Sequence, residues 1–371
     1  MTPARDDDLV YTIVLTGGPC GGKTTSMAHL SDLLEGLGYR VFLVPEAATL
    51  MMTSGATPLG GARQRLLFQS SLIRLQMALE DCFTELARGC GQPAVVLCDR
   101  GTMDTSAYLS AELWQTLLSE NGWTEVELRD GRYDAVLHLV TAALGAEPFY
   151  TTENNTVRSE TPEQARGLDE RLRRAWVGHP RLRVIDNRAD FQDKVLRVSD
   201  ALCHVIQAPA PRGEKERRFL LSGEGPAVLD RVHHKAFELE QVYLRTTDGS
   251  ESRVRSRTSA GASSYTHTVK RPQVAGQRIL LQRRISGREF TALGSQADPE
   301  RQTIRKERRC FLWRSHYFEL DTFLDPNPGL NILEVKVDNP DEEVELPPFL
   351  PIEREITGEP QFMSFHLALR Y

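Results

Sequence analysis

Gly17-Gly18-Pro19-Cys20-Gly21-Gly22-Lys23-Thr24 closely follows the apolar run Val10-Tyr11-Thr12-Ile13-Val14-Leu15, and its spacing is G-x-x-x-x-G-K-[ST]. A strand that runs out into glycines lets backbone N–H groups turn inward around a phosphate, and a helix starting near Lys23 adds the positive end of its dipole. Lys23 is placed to reach the β- and γ-phosphates and the Thr24 hydroxyl to sit on Mg²⁺, the expected cofactor. The expected nucleotide-binding set is Gly17, Gly18, Pro19, Cys20, Gly21, Gly22, Lys23, Thr24 and Thr25. A glycine-rich turn that binds nothing is the plainer alternative; a strand before and a helix after speak against it.

Working outward, Met27, Leu30, Leu33, Leu34 and Leu37 recur at helical spacing and stop at Gly38. Arg40 to Val44 reads as a second buried strand, Arg63 to Cys90 as a long amphipathic helix, and Ala94 to Cys98 as a third strand. Ala135 to Val140 and Leu182 to Ile185 complete five strands, with helices near Pro162 to Trp176 and Phe191 to Ile206. Short apolar strands alternating with helices imply a parallel sheet covered on both faces, an α/β domain of three layers. Ligands of such sheets bind beyond the carboxyl ends of the strands.

That rule gives meaning to the other strand ends. Asp99-Arg100 follows the third strand, where an acid beside a phosphate loop is the usual second anchor for Mg²⁺. Arg100 suits neutralising charge on a transferring phosphoryl group. Glu46 follows the second strand and suits accepting a substrate proton or anchoring the substrate. Helix capping is the structural alternative for both acids.

The loop, Glu46 and Asp99-Arg100-Gly101 together resemble the nucleoside and nucleotide kinase branch of P-loop proteins, including the AAA-like family that contains ribosylnicotinamide kinases. The resemblance spans residues 8 to 206 and implies a mobile lid that brings arginine to the phosphates. Tyr150 to Glu160 falls where that lid would be, with Arg158 as its arginine and Arg166, Arg173 and Arg174 behind it. A charged helix face is the alternative for the last three.

Gln207-Ala208-Pro209-Ala210-Pro211-Arg212-Gly213 interrupts helix and strand alike, so residues 1–207 and 213–371 are expected to be separate domains. Past this linker, eight stretches with the texture of short strands run from Glu216 to Val337, as in an antiparallel sheet closed into a barrel. From Arg253 to Arg314 there are fifteen basic residues against four acidic ones, an excess hidden by the net charge of −6. Arg253, Arg255 and Arg257 alternate and so share one face of one strand. Pointing inward they line a cationic cavity; pointing outward they form a solvated patch.

Glu214-Lys215-Glu216-Arg217-Arg218 resembles the opening E-x-E-x-K strand of CYTH domains, the triphosphate tunnel fold. Arg253-Val254-Arg255, Lys270, Lys306-Glu307-Arg308, Glu319-Leu320-Asp321 and Glu334-Val335-Lys336 follow in that family's order. The resemblance implies that Arg218, Arg253, Arg255, Arg257, Lys270, Arg284, Lys306 and Arg308 grip a polyphosphate, while Glu214, Glu216 and Glu334 hold metal ions. Two departures stand out: Arg218 replaces the family's lysine, and Lys336 stands where a second carboxylate is usual. An ammonium in place of a carboxylate disfavours a divalent ion there, and with it metal-dependent triphosphate hydrolysis. The order of the two domains is similar to the family of the TRPL translocation defect protein of animals. That likeness implies GTP rather than ATP, an organic polyphosphate or anionic phospholipid headgroup as second ligand, peripheral membrane contact and a role in membrane-protein trafficking.

Composition narrows the remaining classes. Hydrophobic residues at 40% and charged residues at 26% are ordinary for a globular protein, and 371 residues suit about two domains. Aromatics at 7% seldom interleave with the arginines, so no nucleic acid is expected as a partner. No apolar stretch has transmembrane length, and the start of the chain lacks the chemistry of a signal peptide. Six scattered cysteines without C-x-x-C spacing read as reduced thiols of a cytoplasmic protein rather than a disulfide frame or zinc site. Cys20, inside the phosphate loop, is either an oxidisable thiol or a small residue that fits the turn.

Overall fold

Five short apolar strands make a sheet that only helices on both faces can shield from water. They are β1 (Val10–Thr16), β2 (Arg40–Val44), β3 (Ala94–Asp99), β4 (Ala135–Leu139) and β5 (Leu182–Ile185), in the order β2-β3-β1-β4-β5. Every pairing is parallel. The structure is a computed structural model and describes residues 9–58, 60–150, 161–208, 215–223, 225–247, 249–270, 280–314, 316–337 and 342–370. The chain divides into two compact units, Met1–Pro211 and Arg212–Tyr371.

In the first unit, α1 (Lys23–Gly36) and α7 (Phe191–Ile206) pack on the sheet through Leu30, Leu34, Val198 and Leu202, all inaccessible to solvent. The long α3 (Ala62–Arg88) lies against β2 and β3. Between these come α2 (Ala47–Thr53), α4 (Ala111–Asn121), α5 (Glu125–Arg129) and α6 (Pro162–Ala175). Polar residues define several helix starts: Thr124 with Glu127 and Thr161 with Gln164 form reciprocal caps, and the Asp190 carboxylate accepts from the Asp193 amide. The helical repeat of α1 ends as expected, because Gly38, at φ 87°, turns the chain into the left-handed region.

The second unit is an antiparallel sheet of nine strands. They are β6 (Lys215–Leu221), β7 (His234–Leu244), β8 (Glu251–Ser259), β9 (Ala262–Lys270), β10 (Leu280–Ile285), β11 (Ile304–Trp313), β12 (His316–Asp325), β13 (Asn331–Val337) and β14 (Ile352–Glu355). Their order is β10-β9-β8-β7-β11-β12-β13-β6-β14. The ninth strand escapes a reading by alternation because Glu353, Arg354 and Glu355 are consecutive, charged and exposed. The helix α8 (Gly287–Gly294) was also not foreseen; it is started by a Ser286–Glu289 capping box, and its Phe290 and Leu293 pack on Val242, Val254 and Ile285.

The two faces of this sheet differ in kind. Phe219, Phe311, Phe318, Leu320 and Leu333 form an apolar core on one side, each contributing about 1.5–3 kcal/mol by burial. Paired residues across strands share a face. The register Arg257–Leu239–Lys306–Phe323, with Glu319–Glu334–Arg218, therefore sets the charged residues on the other.

Candidate functional site

The phosphate loop joins β1 to α1 at the carboxyl edge of the parallel sheet. Its glycines are required by space. A Cβ on Gly17 would stand 2.0 Å from the Leu139 carbonyl oxygen, and one on Gly21 2.6 Å from the same atom. Gly18 is closed in by Asp169, and Gly22 by the ring of Phe191, the first residue of α7. Gly17 and Gly22 also have φ of 139° and 88°, where side chains are rarely tolerated. Cys20 shares the left-handed region at φ 56°. Lys23 is buried and donates through Nζ to the carbonyls of Gly17 at 3.2 Å and Gly18 at 3.4 Å. Thr24 and Thr25 lie exposed on the first turn of α1.

The parallel register brings the other strand ends beside the loop: Leu15 pairs with Asp99, and Thr16 with His138. Arg100 takes a φ of 71°, costly for a bulky residue, by roughly 1–3 kcal/mol, and such strain gathers where function needs it. Its Nε lies 2.7 Å from Glu46 Oε1, and its Nη1 donates to the Gly17 carbonyl at 3.2 Å. Burial pushes Glu46 up, but Arg100, the Thr49 hydroxyl and Lys23 outweigh it, so the carboxyl lies below its ordinary range. Asp99 goes the other way: burial raises it, Glu46 and Asp104 raise it further, and Lys23 and Arg100 only partly offset them. Asp99 Oδ1 is buried without a hydrogen-bond partner. An orphaned carboxylate oxygen short of positive charge, near Lys23, fits the second anchor of a Mg²⁺ ion.

Sequence reasoning missed two buried acids that brace this arrangement. Asp104, in the short 3-10 segment Thr102–Tyr108 after β3, accepts from Thr16 Oγ1 at 2.7 Å and from Trp176 Nε1 at 2.7 Å. Asp169, on α6, accepts from the loop amide of Gly18 at 2.9 Å, from the Thr141 amide at 3.0 Å, and pairs with His138 Nε2 at 3.1 Å. Burial opposes its charge, but His138, Arg173 and the Gly18 amide hold it at about 2. Its place in a strongly polar helix was the available signal, but nothing local pointed to a partner 151 residues away. The expected arginines of that helix are tied nearby: Arg166 to the Ala143 carbonyl and Glu163, Arg173 to Asp169 and Glu170, Arg174 to Glu170. Arg158 and the rest of residues 151–160 lie outside the described residues, as does Glu214.

In the second unit the register sets all eight expected phosphate-gripping residues on one face. On that face side chains reach across two strand positions: Arg308 on β11 lies 3.1 Å from Glu334 on β13, and Arg257 on β8 lies 3.9 Å from Cys310 Sγ on β11. Arg308 also binds Asp321 at 2.6 and 2.7 Å and pairs with Glu319, while Lys306 pairs with Asp321. Arg218 binds Glu334 at 2.8 Å. Across from these pairs, Arg255 donates to the Gln241 amide oxygen at 2.9 Å, Arg257 stacks on Phe237, and Lys270 lies 3.4 Å from Glu251. Burial, with Arg253 and Arg308 close by, pushes the Arg255 guanidinium down to about 9. Arg284 shares the face from the edge strand β10 and is exposed. At one end the face turns apolar, where Tyr243, Ile304, Phe323 and Ile332 are covered by Phe362 and Phe365. Phe365 directly precedes the middle of the short α9 (Ser364–Leu367).

The first unit is therefore a P-loop domain of the parallel α/β class, and the second an antiparallel sheet with a charged interior face. Residues 12–194 match the family model described as an AAA domain. The thymidylate kinase of Thermosynechococcus vestitus (strain NIES-2133 / IAM M-273 / BP-1) is 34% identical over 113 residues, 26% of this chain and 45% of that protein. The chain thus spans under half the length of this curated relative. Among solved structures, the inorganic triphosphatase NE1496 is 27% identical, covering 43% of this chain and 95% of that one, with a TM-score of 0.30. The PH1819 protein from Pyrococcus horikoshii OT3 is 15% identical, covering 33% and 77%, with a TM-score of 0.26. Among the described residues no helix is long and apolar enough to cross a membrane.

Proposed function

We propose that this protein binds a magnesium nucleoside triphosphate on its phosphate loop and an organic polyphosphate or anionic phospholipid headgroup on the charged face of its second unit. The observation that carries the reading is the loop itself: glycines where no Cβ fits, with Lys23 and the orphaned Asp99 Oδ1 beside them. Thr24 and Asp99 would hold the Mg²⁺, which would supply neutralisation of the phosphates' charge. The loop's backbone amides wrap the phosphates, save Gly18, whose N–H is held by Asp169, and Pro19, which has none; Lys23 leaves the loop carbonyls for the phosphates, and Arg100 holds Glu46 in its ionised form. GTP ahead of ATP, peripheral membrane contact and a role in membrane-protein trafficking rest on the family resemblance alone.

A small-molecule kinase of nucleoside or nicotinamide riboside type is the second reading. It is favoured by the cluster of Glu46, Asp99 and Arg100, where a hydroxyl acceptor would give up its proton to Glu46, and by the similarity to a thymidylate kinase. Triphosphate hydrolysis by the second unit is a third. Calorimetric titration with GTP and ATP in Mg²⁺, followed by product analysis with and without nucleosides, separates them. Saturable binding without turnover supports the binder, nucleoside monophosphate supports the kinase, and no binding of either nucleotide overturns the reading.

A further inference from the structure

The charged face of the second unit has two unlike walls. On β6, β12 and β13 the acids Glu216, Glu319, Asp321 and Glu334 are each already met by a cation. Asp321 is held by Lys306 and by both Nε and Nη2 of Arg308, and Glu319 by Arg308 Nη1. Glu334 receives Arg218 on one oxygen, at 2.8 and 3.0 Å, and Arg308 on the other, at 3.1 Å. Glu216 pairs in register with Lys336 and lies 3.4 Å from Arg218 Nε. On β8 and β9 the balance is reversed. Arg253, Arg255, Arg257 and Lys270 are gathered there around a single acid, Glu251, which lies 3.4 Å from Lys270 and 3.9 Å from Arg253; Arg253 Nε is buried and without a hydrogen bond, and Arg255 is turned to a neutral amide.

A divalent ion requires several oxygens with lone pairs to give, and it must outweigh local repulsion. Here N–H donors of Arg218 and Arg308 take those lone pairs, and Lys306 and Lys336 add positive charge around them. Among the described residues, no three His, Cys, Asp or Glu side chains stand together as metal ligands. Of the carboxylates that the tunnel-family resemblance assigns to metal, the two among the described residues therefore do not fit one: Glu334 is spent on two guanidinium groups, and Lys336 faces Glu216.

We propose that this face binds clustered phosphoryl groups, of a linear polyphosphate or of a phosphorylated lipid headgroup, without any divalent cation. The wall of Arg253, Arg255, Arg257 and Lys270 meets the anion's charge directly, and the acids opposite keep Lys306, Arg308 and Arg218 extended and fixed. Arginine forks match phosphoryl oxygens in paired hydrogen bonds, so the cations alone supply both charge and geometry. The inference rests on the reading of this face as an anion site and adds that metal is no part of it.

The test uses the full chain carrying Lys23→Ala, which weakens phosphate binding at the loop by about one to two orders of magnitude. Tripolyphosphate is titrated calorimetrically in EDTA and again in Mg²⁺, and flotation with phosphatidylcholine vesicles containing a phosphoinositide is run under the same two conditions. Binding in EDTA at least as tight as in Mg²⁺, weakened tenfold or more by Arg255→Glu, is expected; co-flotation with weak tripolyphosphate binding assigns the lipid source, and the converse the soluble one. Binding by either probe that appears only with Mg²⁺ overturns the proposal and leaves the anion site standing. Neither heat nor flotation under any condition overturns the anion reading itself. Lys336→Glu, checked for native circular dichroism, is the converse variant: a second carboxylate beside Glu216 should introduce Mg²⁺ dependence. A Lys336→Glu protein whose binding in EDTA and Mg²⁺ stays equal counts against the charge argument.

Discussion

Gly17 shows how little freedom the phosphate loop leaves at the level of single residues. Its φ of 139° and the Leu139 carbonyl 2.0 Å from any added Cβ exclude a side chain. Gly17→Ala should therefore cost about 1–3 kcal/mol or more, lower the melting temperature by several degrees, and remove nucleotide binding; an unchanged melting curve and affinity would contradict the assigned geometry. Lys23→Ala loses charge-assisted hydrogen bonds to phosphate of about 1.5–3 kcal/mol. Nucleotide affinity in a Mg²⁺ titration should fall by one to two orders of magnitude. Asp169 gives a pH signature. Its carboxyl is held at about 2, below the ordinary value near 3.8, so its contribution is complete above that ordinary value and is lost as pH falls toward 2. Urea midpoints of the wild type should drop more steeply between pH 4 and 2 than those of Asp169→Asn. Parallel slopes would mean that the clamp on Gly18 carries no net energy.

At the scale of the element, a helix or strand decides what its charges do. On α7, Lys194 is buried and donates to the Val140 carbonyl and to Asn187, and burial pushes its amine down to about 7. An unfolded lysine keeps its proton to about 10.4. Between those values the unfolded chain binds more protons, so stability rises with pH across that window. Lys194→Met should flatten the rise, as denaturant titrations at pH 7 and 9.5 would show. On β8, strict alternation and antiparallel pairing with β7 carry Arg253, Arg255 and Arg257 to the same side as Gln241 and Tyr243. Outward-facing Val254 packs instead among Val242 and Ile285. The strand is amphipathic in an unusual sense, with arginine rather than apolar residues turned to the enclosed face.

The whole molecule consists of two units, each with its own buried apolar clusters: Ile13, Leu97 and Leu137 among others in the first, Phe311, Phe318 and Leu333 in the second. Separate cores favour separate unfolding transitions in calorimetry. A ligand present at a hundred times its dissociation constant stabilises its own unit by about 2.7 kcal/mol. Mg²⁺ with nucleotide should thus raise one transition and tripolyphosphate, in Lys23→Ala, the other. One shared transition moved by both would show that the units act as a single thermodynamic body.

The sequence by itself determined the phosphate loop, the alternating strands and helices of the first unit, and the change of texture beyond residue 213. Each of these is written in adjacent residues or in a short period, because glycine spacing and side-chain alternation are local properties of a backbone. Asp99 and Arg100 were legible as well, since a strand's end marks the ligand edge of a parallel sheet. Only tertiary structure decided that Asp169 braces Gly18, that Asp104 holds Thr16, and that Glu334 is shared between Arg218 and Arg308. Those contacts join residues scores of positions apart, and their existence depends on strand order and register. A register slipped by one residue would have turned the same arginines to the opposite face.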